Sequence, residues 1–376
     1  MGGKWRTAAL GELCDFRAGS VFKPALQGRS SGQFPFVKVS DMNLPANAVR
    51  IQDANNWVSE DDLRELRAKP FPPGTVVFAK IGEALRQNRL RQVARETVVD
   101  NNMMGAVPRV DRVDPRYFYY ALSLFDFSEI AQGTALPYLT VASLSALTLD
   151  IPPADEQRAI AHILGTLDDK IEVNRRMSET LEGIARAIFK SWFVDFDPVR
   201  AKMEGRDPGL APEIAALFPD RLVQTENGEA PEGWTLRPLS SLGRFLNGLA
   251  LQKFPPNNDE FLPVIKIAEL RAGQWTNGDK ASSSIPEDYV VNDGDLLFSW
   301  SGSLLHRFWC GGRGALNQHL FKVFPQGVPA GFLFEAIGQH MPEFRAIAAD
   351  KATTMGHIQR KHLDEALVAI GSDTVM

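Results

Sequence analysis

The chain has 376 residues, 44% of them hydrophobic and 23% charged, with a formal net charge of −5. This composition is ordinary for a globular protein, and the negative charge argues weakly against a surface that binds nucleic acid all over. No apolar run approaches the roughly 20 residues that cross a bilayer, and the opening MGGKWRTAAL has no apolar signal-type segment, so we expect a cytoplasmic protein without a membrane partner.

Five blocks of the sequence occur twice, in the same order. The first copy runs through WRTAALGELCDFRAGSVFKP from residue 5, FPFVKVSDMN (34–43), FPPGTVVFAKIGEALR (71–86), NNMMGAVP (101–108) and GTALPYLTVASL (133–144). The counterparts are WTLRPLSSLGRFLNGLALQKFP from residue 234, FLPVIKIAEL (261–270), VNDGDLLFSWSGSLLH (291–306), NQHLFKVFP (317–325) and ATTMGHIQRKHL (352–363). The separation stays between 216 and 229 residues. This regularity favours two copies of one domain of about 150 residues over two unrelated mixed domains.

Each copy combines short apolar strands with one or two helices. The helical parts are PRYFYYALSLFDFSEIAQ in the first copy and GFLFEAIGQHMPEFRAIAAD in the second. The predicted fold class is therefore α+β, with two repeated mixed α/β domains.

Between the copies, the sequence predicts one long coiled-coil-type helix. It begins after Pro152 and Pro153 and ends before Pro198, and some 40 residues would span roughly 60 Å. Apolar residues recur every seven positions, interrupted at Asn174 and Lys170. A seam of this kind predicts burial against another helix, and we expect these residues in it: Ile160, Ile163, Leu167, Asn174, Met177, Leu181, Ile184 and Ile188.

Motifs for catalysis, cofactors and metals are not found in the sequence. There is no P-loop, no dinucleotide-binding glycine motif and no Asn/Asp-Pro-Pro-aromatic stretch of amino-methyltransferases. Cys14 and Cys310 lie in no CxxC pair, and His357 and His362 lack a partner at zinc spacing. The pair Asp195 and Asp197 favours a helix end before proline over a metal site. We expect no catalytic residue, cofactor or metal in this chain.

Polar and basic loops remain as candidates for DNA binding, because Arg reads guanine, Asn and Gln read adenine, and cations clamp phosphates. The alternative is a solvated helix face. In the first copy the candidates are Lys38, Lys80, Arg86, Gln87, Asn88, Arg89, Arg91, Arg95 and Tyr138. In the second copy they are Lys266, Trp300, His306, Arg307, Arg313, Asn317, Gln318, His357 and Arg360, with His319 in the same loop. The two loops share a position but not a composition, which fits a protein that reads two different targets.

The sequence resembles the specificity (S) subunits of Type I DNA restriction–modification systems. The resemblance is carried by the openings GKW and EGW, by the tail GTALPYLTVASLSALTLDIPP, and most specifically by IPPADEQRAIAHILGTLDDKIEVNRRMSETLEGIARAIFKSWFVDFDPV in the centre. It implies target-recognition domains at 1–152 and 232–376, a spacer helix at 153–197 and a linker at 198–231.

The resemblance also implies partners. Each recognition domain would read one half of a split site in double-stranded DNA, and the helix would set the spacer between the halves. Methyltransferase (M) subunits, which bind S-adenosylmethionine, would dock along the helix, and ATP- and Mg-dependent restriction (R) subunits would join them. The family has a second long helix after the second domain, and this sequence stops where that helix would start. We expect either that the chain is truncated or that the partner helix comes from another polypeptide. The alternatives are a self-contained DNA-modifying enzyme and a protein-binding scaffold that no longer reads DNA.

Overall fold

The computed structural model describes residues 4–133, 135–256, 260–350 and 356–371. The chain divides into two compact units: unit 1 extends to Arg176, and unit 2 begins at Met177. Thr134 and residues 352–355, which belong to the fifth predicted repeat, lie outside the described residues.

Unit 1 is a mixed fold that leads into a long helix. Its elements are β1 (Arg6–Ala9), α1 (Leu10–Leu13), β2 (Cys14–Ala18), β3 (Phe34–Val37), β4 (Arg50–Ile51), β5 (Trp57–Val58), α2 (Glu60–Leu66), β6 (Val76–Ala79), α3 (Glu83–Arg86), β7 (Leu90–Val93), β8 (Val98–Val99), β9 (Met103–Pro108), α4 (Pro115–Leu122), α5 (Val141–Ser145), β10 (Thr148–Ile151) and α6 (Ala154–Phe193).

The main sheet of unit 1 has the strand order β2-β9-β6-β7-β4, and a second sheet has the order β5-β3-β8. All four residues of β6, VVFA, are buried, as expected for a central strand covered on both faces. Helix α4 packs over the main sheet with Phe118 and Leu122 fully buried. Its start is fixed by Asp114, whose carboxylate accepts the backbone N–H groups of Arg116 and Tyr117, each at 2.9 Å.

Unit 2 continues from the end of α6. Its elements are α7 (Asp197–Met203), α8 (Pro212–Ala215), β11 (Leu222–Thr225), β12 (Gly228–Pro231), β13 (Thr235–Pro238), β14 (Gly243–Asn247), β15 (Phe261–Ile265), α9 (Ile267–Ala272), β16 (Lys280–Ser282), β17 (Val290–Val291), β18 (Leu296–Ser299), β19 (His306–Phe308), β20 (Gly314–Leu316), β21 (Leu320–Pro325), α10 (Ala330–Asp350), α11 (Arg360–Glu365) and β22 (Leu367–Ile370).

The strand order of unit 2 repeats that of unit 1. The main sheet runs β14-β21-β18-β19, which corresponds to β2-β9-β6-β7. The parallel pair β3–β8 has its counterpart in β15–β20, and the antiparallel pair β1–β10 in β13–β22. The predicted class is confirmed: two repeated mixed α/β domains are joined by a 40-residue helix.

The predicted linker, 198–231, contains regular structure. Helices α7 and α8 and the hairpin β11–β12 lie within it. Val199 and Phe218 are buried in the core of unit 2 beside Trp234. Prolines and glycines in this stretch therefore separate short packed elements, whereas the composition alone predicted a connector.

The first half of α6 is fastened to unit 1 by specific contacts. At its start, the Gln157 amide donates to the Pro152 carbonyl and accepts the Asp114 N–H, both at 2.9 Å. Two turns later, Gly165 lets Arg116 cross the helix, since an added Cβ would lie 2.5 Å from the guanidinium carbon. Arg116 then donates to Asp169 at 2.7 Å. These contacts hold this half of the helix to its own domain.

Near the end of α6, two aromatic side chains enter the core of unit 2. Phe189 and Phe193 are both buried, and their ring centroids lie 5.1 and 5.0 Å from that of Phe332 in α10. Phe193 also packs against Trp234 at 5.6 Å. Burial of these large rings fastens the end of the helix to this domain.

The predicted seam lies on the solvent-facing side of α6. Ile160 is half-buried on the core of unit 1. Exposure of the others ranges from 43% to 62%: Ile163, Leu167, Met177, Leu181, Ile184 and Ile188. Asn174 is exposed as well, and Ile171 adds another exposed apolar side chain at 65%. The described residues therefore leave an apolar row along α6 uncovered.

Candidate nucleic-acid interface

One edge of the main sheet in unit 1 is assembled from four chain segments. Gly19 N–H donates to the Met103 carbonyl at 3.1 Å, and Lys80 N–H donates to the Asn102 carbonyl at 2.9 Å. The Lys80 carbonyl in turn accepts the Leu139 N–H at 2.9 Å. These bonds place Lys80, Asn102 and Tyr138 side by side where β6 and β9 meet the segment before α5. We call these three residues the unit 1 edge trio.

The same edge in unit 2 has the same backbone bonds. Gly248 N–H donates to the Leu320 carbonyl at 3.0 Å, and Trp300 N–H donates to the His319 carbonyl at 3.4 Å. The Trp300 carbonyl accepts the Ile358 N–H at 2.9 Å. The unit 2 edge trio is therefore Trp300, His319 and His357.

Glycine is required where the chain enters each edge. A Cβ on Gly19 would lie 2.1 Å from the Asp100 carbonyl oxygen, and one on Gly248 would lie 2.2 Å from the Asn317 carbonyl oxygen. Neither carbonyl can move freely, because each directly follows a strand of the second sheet of its unit, β8 or β20. The backbone therefore approaches closely at the same place in both units.

Side chains of the unit 2 edge form a connected aromatic group. The Trp300 ring centroid lies 5.9 Å from that of His319 and 6.3 Å from that of His357. The Trp300 indole N–H donates to Asn247 Oδ1 at 2.8 Å, and Ser301 Oγ lies 2.9 Å from His319 Nδ1. These bonds fix the ring orientations while Trp300, His319 and His357 stay partly exposed.

The unit 1 edge is more open and more polar. Tyr138 is 43% exposed, Asn102 is exposed and Lys80 is half-buried. An ammonium group, an amide and a phenol stand where unit 2 presents an indole and two imidazoles. The two edges can therefore contact a ligand with different chemistry from the same backbone.

Lys38 and Lys266 begin equivalent helical turns after β3 and β15. Their backbone N–H groups donate to the carboxylates of Asp41, at 2.8 Å, and Glu269, at 3.2 Å, both of which are buried. The Lys38 ammonium group donates to Gln27 at 2.9 Å, and that of Lys266 pairs with Asp279. Both side chains are half-buried beside their edges.

Arg91 and Arg307 occupy equivalent strand positions and bond to the protein. Arg91 pairs across from Val77, and Arg307 across from Leu297. Arg91 donates to the carbonyls of Leu90 at 2.7 Å and Met42 at 3.1 Å, and burial lowers its pKa from the ordinary range. Arg307 donates to the Arg271 carbonyl at 3.3 Å. Each guanidinium thus ties its strand to the turn that follows Lys38 or Lys266.

Unit 1 alone carries a long arginine loop, residues 83–89. Ten residues connect β6 to β7, whereas six connect β18 to β19. Arg86, Gln87 and Arg89 are exposed, and Arg86 lies 3.6 Å from the Glu83 carboxylate. Asn88 instead anchors the loop: at φ +45° its amide donates to the Phe125 carbonyl at 2.6 Å and accepts the Phe127 N–H at 3.2 Å.

Several other predicted residues lie away from the edge trios or are engaged in packing. Arg95 lies over the Trp57 ring at 5.5 Å, and Arg313 pairs with Glu287 at 3.5 Å. Arg360 donates to the Phe245 carbonyl at 3.0 Å. Asn317 is buried and accepts the His319 N–H at 3.2 Å, while Gln318 is half-buried next to that histidine.

His306 faces α10 rather than a loop. Its ring centroid is 4.5 Å from that of Phe334, and a Cβ on Gly338 would meet its Nε2 at 3.2 Å. Burial, with Arg186 and Arg345 adding to it, lowers the pKa of His306 to about 4. A neutral, packed imidazole is the result, so we leave His306 out of the proposed interface.

Sequence reasoning missed Asn102, Asn247 and Ser301, which contribute to the two edges. A usable signal existed for Asn102 and Ser301, because both lie inside repeat blocks, adjacent to Met103 and Trp300. Asn247 also lies inside a repeat block, but its bond to Trp300 crosses 53 residues, and the repeat pattern does not reveal that partner.

No group of three or more His, Cys, Asp or Glu residues that could hold a metal ion occurs among the described residues. Within the same part of the chain, helices long and apolar enough to span a membrane are not found.

Residues 2–183 match the family model of the Type I restriction modification DNA specificity domain. This part of the chain is thus similar to the DNA specificity domain of Type I restriction–modification systems. This confirms the resemblance predicted from the central segment. The family match covers unit 1 and the start of unit 2, and the repeated strand order extends the same domain plan to the rest.

Two curated relatives are similar to this chain. The HindI specificity subunit of Haemophilus influenzae is 33% identical over 222 residues, which cover 46% of this chain and 48% of that subunit. The MjaIX specificity subunit of Methanocaldococcus jannaschii is 24% identical over 313 residues, 80% of this chain and 67% of that subunit. The match to the HindI subunit thus spans about half of that protein's length.

A solved S subunit of a Type I restriction–modification system, from M. genitalium, has a similar fold. The TM-score is 0.53 at 13% identity, with 99% of this chain and 86% of that chain covered. At this identity the likeness concerns the fold alone.

Proposed function

We propose that this chain is the non-catalytic DNA-recognition subunit of a Type I restriction–modification complex in the cytoplasm. Unit 1 reads one half of a bipartite site in double-stranded DNA, and unit 2 reads the other half. S-adenosylmethionine and ATP with Mg are held by the M and R subunits. The observation that carries the proposal is the repeated edge: one backbone arrangement occurs twice and displays different side chains each time.

Charge and geometry support this reading of the edges. Each edge combines a lysine, exposed or half-buried polar side chains and rigid backbone, which suits contacts to phosphates and base edges. The exposed Arg86 and Arg89 add phosphate-binding charge next to the unit 1 edge. Lys38, Lys80, Tyr138, Lys266, Trp300 and His357 remain proposed DNA contacts on these grounds.

The test uses the full chain with and without its M subunits. Labelled duplexes with randomised sequence are incubated with the M–S complex, and the retained molecules are sequenced. We expect enrichment of a bipartite sequence with a fixed spacer, and methylation of that sequence only when M subunits are present. Methyl transfer, ATP hydrolysis or DNA cleavage by this chain alone would instead favour a self-contained enzyme. Enrichment of no sequence would favour a scaffold that no longer reads DNA.

We propose further that the exposed row on α6 is covered by a helix in the assembly, where the M subunits dock. Truncation of a buried leucine to alanine costs about 2–5 kcal/mol. Leu167→Ala combined with Leu181→Ala should therefore weaken the M–S complex, as measured by sedimentation, while both units stay folded. His162→Ala is the matched control, because His162 is exposed on α6 but lies off the row. If the M–S complexes of the wild-type chain, the double leucine variant and the His162→Ala control sedimented equally, the row would not be the docking surface.

A further inference from the structure

The two edges can be superposed residue by residue through their hydrogen bonds. The bond from Lys80 to Asn102 corresponds to the bond from Trp300 to His319, and that from Leu139 to Lys80 corresponds to that from Ile358 to Trp300. Isolated bridges join residues 81 to 138 and 301 to 357 in the same antiparallel sense. Position 80 is therefore equivalent to 300, 102 to 319 and 138 to 357.

Positions with a backbone task carry the same type of residue in both units. Gly19 and Gly248 allow the close approach described above, and Gly82 and Gly302 both have positive φ, +75° and +62°. The turns after β3 and β15 both start with lysine and are closed by a buried acid. Arg91 and Arg307 each bond a backbone carbonyl of the turn that follows the lysine, that of Met42 or of Arg271. The supporting part of the edge is thus duplicated with its chemistry intact.

The three side chains of each trio change chemical class. Lys80 is replaced by an indole at 300, Asn102 by an imidazole at 319, and the Tyr138 phenol by an imidazole at 357. All six are at least partly exposed. Because the backbone beneath them is equivalent, the difference between the two surfaces lies in these side chains and not in the placement of the chain.

We infer that the edge trios are the specificity-determining positions of the two units, an inference that rests on the proposed function. Lys80 and Asn102 provide donors and acceptors that suit base edges, as lysine pairs with guanine and asparagine with adenine. Trp300, His319 and His357 offer ring faces and imidazole nitrogens, which suit apolar contact and single hydrogen bonds. The arginine loop adds affinity without selecting sequence.

The experiment transplants one trio into the other unit. In the full chain bound to M subunits, Lys80→Trp, Asn102→His and Tyr138→His are combined, and the reciprocal variant combines Trp300→Lys, His319→Asn and His357→Tyr. Randomised duplexes are selected and sequenced for each complex. We expect one half-site to change in each variant, with roughly 5- to 150-fold shifts in preference at the altered bases, while the other half-site and the spacer stay the same.

Two controls keep the outcome decisive. Arg86→Ala with Arg89→Ala should lower affinity for all sequences and leave both half-sites unchanged. Tyr138→Phe and His357→Phe, single changes at partly exposed rings, test the same positions if a triple variant does not fold; each should alter preference only in its own half-site.

Failure of this inference is distinct from failure of the proposed function. If the wild-type complex enriches no bipartite sequence, the proposed function fails. If it does, but folded trio variants select the wild-type sequence in both halves, the edge trios are not the reading positions and the inference is overturned.

Discussion

Unit 1 and unit 2 differ where β6 and β18 leave their sheets. After β6 the chain makes a ten-residue connection with two exposed arginines. The connection after β18 has six residues and begins at Trp300, whose ring lies near those of His319 and His357. The strands on either side have the same order and the same pairing. One fold therefore separates two tasks: the backbone positions the edge, and a few side chains and one loop determine its chemistry.

The largest effect is expected from blocking the close backbone approach that both edges share. Gly19→Ala and Gly248→Ala should each lower the free energy of unfolding by about 3 kcal/mol, because the new Cβ overlaps a backbone carbonyl oxygen. Denaturant titration of the full chain, with hydrogen exchange to assign the unit affected, measures this.

The matched control for those glycines is Gly183→Ala in α6, where an added Cβ meets no heavy atom within 4 Å. There alanine should stabilise the helix by about 0.5–1 kcal/mol. If only one of the two edge variants were destabilised, the edges would not be equivalent.

The stability of the two units should depend on pH in different ways. The folded-state pKa of His306, about 4, lies below its ordinary value of 6.5, so the unfolded chain binds the proton more tightly. The contribution of the neutral His306 to stability is fully present above pH 6.5 and is lost as the pH falls toward 4. Unit 2 should therefore lose up to about 2 kcal/mol between pH 7 and pH 5.

Two carboxylates also contribute to the dependence of stability on pH. In unit 1, hydrogen bonds from Arg175 and Arg176 hold the pKa of Glu172 at about 2, so its contribution is lost only below pH 4.5. In unit 2, burial raises the pKa of Glu335 and partly offsets the loss at the acidic end. Denaturant titrations at pH 7 and pH 5 should show unit 2 weakening first, and His306→Gln should remove that difference. If both units lost the same stability between pH 7 and pH 5, His306 would not be the group responsible.

A smaller difference is expected between the two strand arginines. Arg91→Ala leaves the carbonyls of Leu90 and Met42 without their partner and should cost about 1–2 kcal/mol. Arg307→Ala removes one long bond from an exposed side chain and should cost less than about 1 kcal/mol. Thermal unfolding of the two variants measures this, and equal losses would show that the two guanidinium groups do the same work.

The smallest effect on stability, and a clear one on binding, is expected from the arginine loop. Arg86→Ala with Arg89→Ala should change unfolding by less than about 0.5 kcal/mol. If both contact phosphates, the slope of log affinity against log salt should fall by up to about 1.8. Arg313→Ala, an exposed arginine paired with Glu287 in unit 2, is the comparison. An unchanged slope would show that the arginine loop is a solvated face that does not contact phosphates.

Much of the fold could be predicted from the sequence because the repeat and the helix are encoded in regular spacing. Pro152 and Pro153 lie just before the start of α6 at Ala154, and the heptad row was predicted over the observed helix. The linker was harder, since Val199 and Phe218 are buried by contacts with distant residues that composition does not reveal.

The sequence indicated two candidate loops but not how their side chains are engaged, and their role in DNA binding stays a prediction. The loops after β6 and β18 were expected to be polar, and they are. Arg91 and Asn88 looked like base-reading side chains within a basic run, yet both bond to backbone carbonyls of their own unit. Sequence gives the residue type, whereas the direction of a side chain depends on pairing across strands such as Arg91 with Val77.

Each unit contains one cysteine that a thiol reagent can modify. Cys310 is exposed in unit 2, while Cys14 begins β2 in unit 1, pairs with Pro108 and is buried, which raises its pKa to about 12. An alkylating reagent should therefore modify Cys310 in the folded chain and reach Cys14 only when β2 detaches. The rate of the slow reaction at Cys14 then measures how often unit 1 opens within an intact complex. A dye attached to Cys310 labels unit 2 without any engineered residue.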